Sequence, residues 1–136
     1  MKRLIIDATG EKVILGLISN RNIYTGRYIN SKKNYDKLVI LINKFLLKHK
    51  TNLDKINRIY VNRGPGSYAG IRNSLSIVKA IYLSKKIDYF SYSYFDFKEK
   101  TKIEDQQNIL KNLRKLPSLC NKFKVKKNLI KPIYLS

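Results

Sequence analysis

Arg63-Gly64-Pro65-Gly66-Ser67-Tyr68-Ala69-Gly70-Ile71-Arg72 is the stretch on which the reading of this chain turns. An apolar run precedes it, Ile56-Asn57-Arg58-Ile59-Tyr60-Val61, and predicts a strand from Lys55 to Asn62. After it, Ile71, Leu75, Val78, Ile81 and Tyr82 share one helical face and predict a helix to about Ser84. The stretch is therefore a strand-to-helix turn. Pro65 fixes its own φ, while Gly64 and Gly66 open backbone angles closed to other residues. Ser67 is placed to cap the helix. Gly70, one turn in, permits close approach of a neighbour. N–H groups at such a helix start attract anions. No Gly-Lys-Ser/Thr follows, so this is not a Walker A loop, and the spacing does not match the dinucleotide fingerprint.

Working outward, Arg3 to Thr9, Val13 to Ser19 and Ile23 to Ile29 read as three strands joined by tight turns, an antiparallel meander. The period then changes. Leu38, Leu41, Ile42, Phe45 and Leu46 recur at helical spacing, with Asp36 as N-cap and Lys48 and Lys50 suited to the C-terminal dipole. Val39, Ile40 and Leu47 widen the apolar face beyond one stripe, which suggests two packing partners. Ile87 to Tyr94 is a fifth, strongly aromatic strand. Ile103 to Leu116 predicts a last helix with Ile109, Leu110 and Leu113 inward, ended by Pro117. A meander followed by alternating helix and strand predicts the α/β class: a five-stranded mixed sheet with flanking helices.

At 136 residues the chain is one domain's worth. Cys120 is the lone cysteine and His49 the lone histidine, so neither an intrachain disulfide nor a zinc cluster is expected, and no metal site is assigned. Asp7 interrupts the N-terminal apolar run too early for a signal peptide. No stretch reaches the ~20 apolar residues of a membrane span. These features predict a cytoplasmic protein with no membrane partner. The formal net charge is +20, and no acidic residue follows Asp105. Such a charge attracts polyanions, most simply RNA. The Lys- and Asn-rich composition is also what an AT-rich genome would encode. Lys122, Lys124, Lys126 and Lys127 in the basic tail are the candidate RNA contacts.

The stretch from Gly64 to Arg72 resembles the "GPGSFTG(L/V)R" signature of the TsaB (YeaZ) family, non-catalytic subunits in the synthesis of threonylcarbamoyladenosine in tRNA. Leu4-Ile5-Ile6-Asp7-Ala8-Thr9 is similar to the family's opening, Leu53-Asp54-Lys55-Ile56 to its lead-in, and Lys131-Pro132-Ile133-Tyr134-Leu135-Ser136 to its terminal motif. The resemblance implies a single ribonuclease-H-like (actin-like) lobe. Residues 1–97 would form that lobe. Residues 98–136 would supply a helix and a basic tail packed on it, the remnant of a second lobe lost internally. The motif loop would comprise Arg63, Gly64, Pro65, Gly66, Ser67, Gly70 and Arg72. The implied partner is a TsaD-type threonylcarbamoyl-transferase, held through the first two helices. Leu38, Leu41, Ile42, Phe45, Ser74, Val78 and Tyr82 are the candidate interface, which would also support a homodimer in the transferase's absence. Contact with tRNA would be indirect or through the tail. The family's "H-S" before the first helix is replaced by Asn34-Tyr35, and a glycine after the motif arginine by Asn73.

The actin-like superfamily binds ATP between two lobes through an Asp-x-Gly turn. Asp7-Ala8-Thr9 lacks the glycine, so no cofactor and no ATPase activity are expected. A ribonuclease is rejected, because Asp7 is one carboxylate where that chemistry needs three or four. A second class stays open: a free-standing basic RNA-binding protein whose aromatic strand, Tyr89 to Tyr94, stacks bases.

Overall fold

The computed structural model describes residues 1–29, 37–97 and 109–134. Five strands, β1 (Lys2–Asp7), β2 (Lys12–Ser19), β3 (Asn22–Ile29), β4 (Arg58–Asn62) and β5 (Asp88–Tyr92), form one sheet in the order β3-β2-β1-β4-β5. β1, β2 and β3 pair antiparallel, whereas β1 with β4 and β4 with β5 are parallel. Among the described residues, three α-helices accompany the sheet: α1 (Leu38–Lys48), α2 (Tyr68–Lys85) and α3 (Ile109–Lys122). The expected mixed sheet with flanking helices is the observed one. Asp36, read as a helix cap, lies outside the described residues.

Alternation along the central strands sorts the core into two layers, since successive strand residues face opposite ways. Leu4, Ile6, Leu15, Leu17, Ile59 and Val61 turn to one face, where Leu38, Ile42, Phe45 and Leu46 of α1 and Ile71, Leu75, Val78 and Ile81 of α2 cover them. Ile5, Ile14, Ile18, Tyr60 and Tyr92 turn to the other, where Leu113, Leu116 and Cys120 of α3 cover them together with Phe97. Each large apolar side chain so buried contributes about 1.5–3 kcal/mol relative to exposure. Gly16 of β2 admits α3, because a Cβ there would stand 3.3 Å from Leu113 Cδ1.

Pro117 does not end the last helix. α3 runs through it to Lys122. A proline in a helix interior costs about 3 kcal/mol, but here Leu113, Leu116 and Cys120 are buried on either side of it. Their burial holds both halves on the sheet. The start read at Ile103 and the side chains of Ile109 and Leu110 lie outside the described ones.

The aromatic strand belongs to the core and not to a stacking platform. Tyr89 and Tyr92 are buried. The Phe90 ring stacks on Tyr60 at 5.2 Å, and the Tyr92 ring on Phe97 at 6.1 Å.

Candidate functional site

Parallel pairing of β1 with β4 sets Ile6 opposite Val61, so the residues that end the two strands, Asp7 and Asn62, lie side by side. Both are buried. Asp7 Oδ2 accepts a hydrogen bond from Asn62 Nδ2 at 3.0 Å. Its Oδ1 accepts from the Thr9 amide at 3.0 Å and the Thr9 hydroxyl at 2.6 Å. Asn62 Oδ1 in turn accepts from the Gly64 amide at 2.9 Å. The carboxylate therefore holds two strand ends and the loop between β4 and α2.

That loop grips a segment from the far end of the sequence. The Ile133 amide donates to the Arg63 carbonyl at 2.8 Å, and Gly66 and Tyr134 form a parallel bridge. The Tyr134 ring centre lies 4.7 Å from that of Tyr68. Arg63 donates through Nη1 to the Lys131 carbonyl at 2.9 Å and pairs through Nη2 with Asp96 at 2.6 Å. Gly64 has φ +115°, open to glycine, and a Cβ there would run into the Ile133 carbonyl. A Cβ on Gly66 would run into Thr9. The Gly64–Pro65 peptide is cis.

Ser67 caps α2 as expected, accepting from the Gly70 amide at 3.3 Å. The Ser67 amide donates to the Thr9 carbonyl at 2.9 Å. The amides of Gly64, Ser67 and Gly70 are thus engaged within the chain, which revises the expectation that this loop presents them to an anion. Gly70 is buried in the first turn of α2, and Arg72 points to solvent. Among the described residues, no three His, Cys, Asp or Glu side chains converge on one point.

The two-helix face differs from its sequence reading in detail. Leu38, Ile42, Phe45, Ser74 and Val78, named as partner contacts, are buried inside the chain's own core. Leu41 and Tyr82 are half-buried and pack on its margin. The side chains that α1 and α2 turn outward are others: Val39 is 47% exposed, Ile40 51%, Leu47 74% and Leu83 61%. At about 100° per residue, Val39, Ile40 and Leu47 share one side of α1. Beside them a groove of ≈ 210 Å³ runs between the helices, lined by Val39, Ile42, Leu53, Ile77, Ala80, Ile81 and Ser84.

Of the tail lysines, Lys122, Lys124, Lys126 and Lys127 are all exposed. Lys122 Nζ sits 5.3 Å from the centre of the Phe123 ring, and Lys127 pairs with Asp88 at 3.6 Å. Lys124 and Lys126 line a cleft of ≈ 240 Å³ with Arg63, Ser91, Asp96, Phe123, Val125, Leu129 and Lys131. Beneath it burial, reinforced by Asp96, pushes the Cys120 thiol up to about 12. Burial, then Tyr94 and Asp7, holds the Tyr92 hydroxyl well above the usual phenol range.

A sheet of this order with helices on both faces defines a ribonuclease-H-like lobe. YeaZ from Pseudomonas aeruginosa superposes with TM-score 0.62 at 17% identity, over 68% of this chain and 43% of that one. RuvC of T. thermophilus, solved with a Holliday junction substrate, superposes with TM-score 0.51 at 12% identity, over 77% of this chain and 72% of that one. The chain is a homologue of the TsaB (YeaZ) proteins. It is 30% identical over 90 residues to the tRNA threonylcarbamoyladenosine biosynthesis protein TsaB of Buchnera aphidicola subsp. Schizaphis graminum, a match over 66% of this chain and 43% of that protein. It is 31% identical over 77 residues to TsaB of Buchnera aphidicola subsp. Acyrthosiphon pisum, over 52% of this chain and 35% of that protein. The chain thus spans less than half the length of the curated relatives it matches. No family model matches it.

Proposed function

We propose that this chain is a non-catalytic scaffold subunit in the formation of threonylcarbamoyladenosine in tRNA, acting in the cytoplasm by binding a TsaD-type transferase through α1 and α2. The observation that carries this reading is the apolar surface those helices turn outward: Val39, Ile40 and Leu47 on α1 and Leu83 on α2, with Val39 also lining the interhelical groove. A contiguous exposed apolar face is the mark of an interaction site. Homology to TsaB supports the pathway. The engagement of Asp7 by Thr9 and Asn62 supports a structural use of that carboxylate. The subunit holds the transferase in a competent arrangement and supplies no reacting group of its own. Without the transferase, the same face pairs two copies of the chain. Residues 98–136 take the place of a second lobe, α3 covering the sheet face opposite α1 and α2.

Co-expression with the host's TsaD homologue, followed by size-exclusion chromatography in high salt, tests this. The expected result is a co-eluting complex, because apolar burial resists salt. Elution of the chain without the transferase, with only salt-labile RNA attached, would favour the free-standing RNA-binding reading.

A further inference from the structure

The cleft beside β5 has features that neither the fold nor the two-helix face uses. Four cationic side chains line it, Arg63, Lys124, Lys126 and Lys131, against one carboxylate, Asp96. Asp96 is already neutralised by Arg63 at 2.6 Å. Lys124, Lys126 and Lys131 are exposed, and among the described residues their ammonium groups meet no carboxylate. Three like charges around one concavity repel each other, and a bound anion relieves that repulsion.

The segment that carries these lysines is held in place. The Asn128 amide donates to the Tyr89 carbonyl at 2.7 Å, and Asn128 Oδ1 accepts from the Tyr89 amide at 2.9 Å. Asn128 Nδ2 donates to Asp88 at 2.9 Å. Ser91 Oγ donates to the Leu129 carbonyl, and the Val125 amide closes on the Cys120 carbonyl at 2.9 Å. The backbone that carries the cations is thus set before a ligand arrives, which lowers the ordering cost of binding. Phe123, Val125 and Leu129 give the cleft an apolar part, which strengthens ionic contact at its surface.

We infer that this cleft binds the phosphodiester backbone of RNA, with Lys124, Lys126 and Lys131 as the phosphate contacts. Its ≈ 240 Å³ falls below the roughly 300–1,000 Å³ of sites that enclose a whole small molecule. It therefore suits a phosphate of a longer strand better than an engulfed nucleotide. A concave site flanked by cations also suits a strand better than a flat lipid surface. The inference extends the proposed role in tRNA modification. Its test uses the isolated chain, so loss of transferase binding and loss of RNA binding are separate results.

Fluorescence anisotropy with an unmodified tRNA transcript over a salt series measures the contact. The triple variant K124A/K126A/K131A is expected to flatten the slope of log affinity against log salt by about 2, as loss of three phosphate contacts requires. The corresponding triple Lys→Arg variant is expected to keep the wild-type slope. The control K44A/K48A/K79A removes equal charge from α1 and α2, which contribute no lysine to the cleft, and is expected to change the slope by less than half as much. Equal flattening by both alanine triples would overturn the inference, since binding would then follow net charge alone. Tighter lysine-dependent binding to phosphatidylserine vesicles than to the transcript would overturn it as well.

Discussion

Asp7 and Asn62 end neighbouring parallel strands and are joined by a buried hydrogen bond of 3.0 Å from the amide to the carboxylate. Asn62 passes the connection on to Gly64, so the first strand, the fourth strand and the motif loop share one polar chain. Replacing Asp7 with Ala removes the acceptor for three donors. It is expected to cost about 2–3 kcal/mol, a fall in Tm of about 5–15 °C. Asp7→Asn can still accept from Thr9 but sets an amide donor against Asn62, and an intermediate loss is expected. Thermal unfolding monitored by circular dichroism checks both. An unchanged Tm for Asp7→Ala would remove the structural role.

Gly64 stands at φ +115° against the Ile133 carbonyl. Gly64→Ala meets both a backbone penalty of order 1–3 kcal/mol and a collision with segment 131–134. The expected outcome is a lowered Tm together with fast hydrogen exchange at the Ile133 amide, which now bonds to Arg63. Gly10→Ala enters open space and is expected to stay within about 0.5 kcal/mol of the parent.

Cys120 gives a pH-dependent signature. Its folded-state value, about 12, lies above the ordinary 9.0, so folding favours the neutral thiol. The stability this supplies is complete below pH 9 and declines as pH rises from 9 towards 12. Tyr92 acts in the same direction above its ordinary 10.0. The urea midpoint is therefore expected to fall from pH 9 upward through these groups. Cys120→Ala is expected to delay the fall without abolishing it. In the native protein at pH 7.5, a thiol reagent is expected to label Cys120 only at the rate at which α3 leaves the sheet.

Much of this architecture was legible because short apolar runs with tight turns admit few arrangements. The meander, the strand-loop-helix around Gly64 and the Ser67 cap all follow from local chemistry. Which side of α1 meets the sheet was not legible. Leu38, Val39, Ile40, Leu41, Ile42, Phe45, Leu46 and Leu47 nearly encircle that helix, and periodicity alone cannot say which arc stays outside. Packing assigns Ile42 and Phe45 to the core and Ile40 and Leu47 to the surface. Aspartate at Ile42 or Phe45 would accordingly unfold the lobe and could not isolate partner binding. The tie between Arg63 and Lys131 spans 68 positions, and nothing local encodes it. Pro117 misleads for a related reason, since tertiary burial overrides a strong local signal.

The most direct test of the central claim is the affinity of the host's TsaD homologue for the double variant Ile40→Asp, Leu47→Asp, measured by isothermal titration beside the wild-type chain. Both side chains lie outside the core, so the Tm is expected to hold while affinity falls about 100-fold or more, as the loss of two buried apolar anchors implies. Wild-type affinity in a folded double variant would contradict the account.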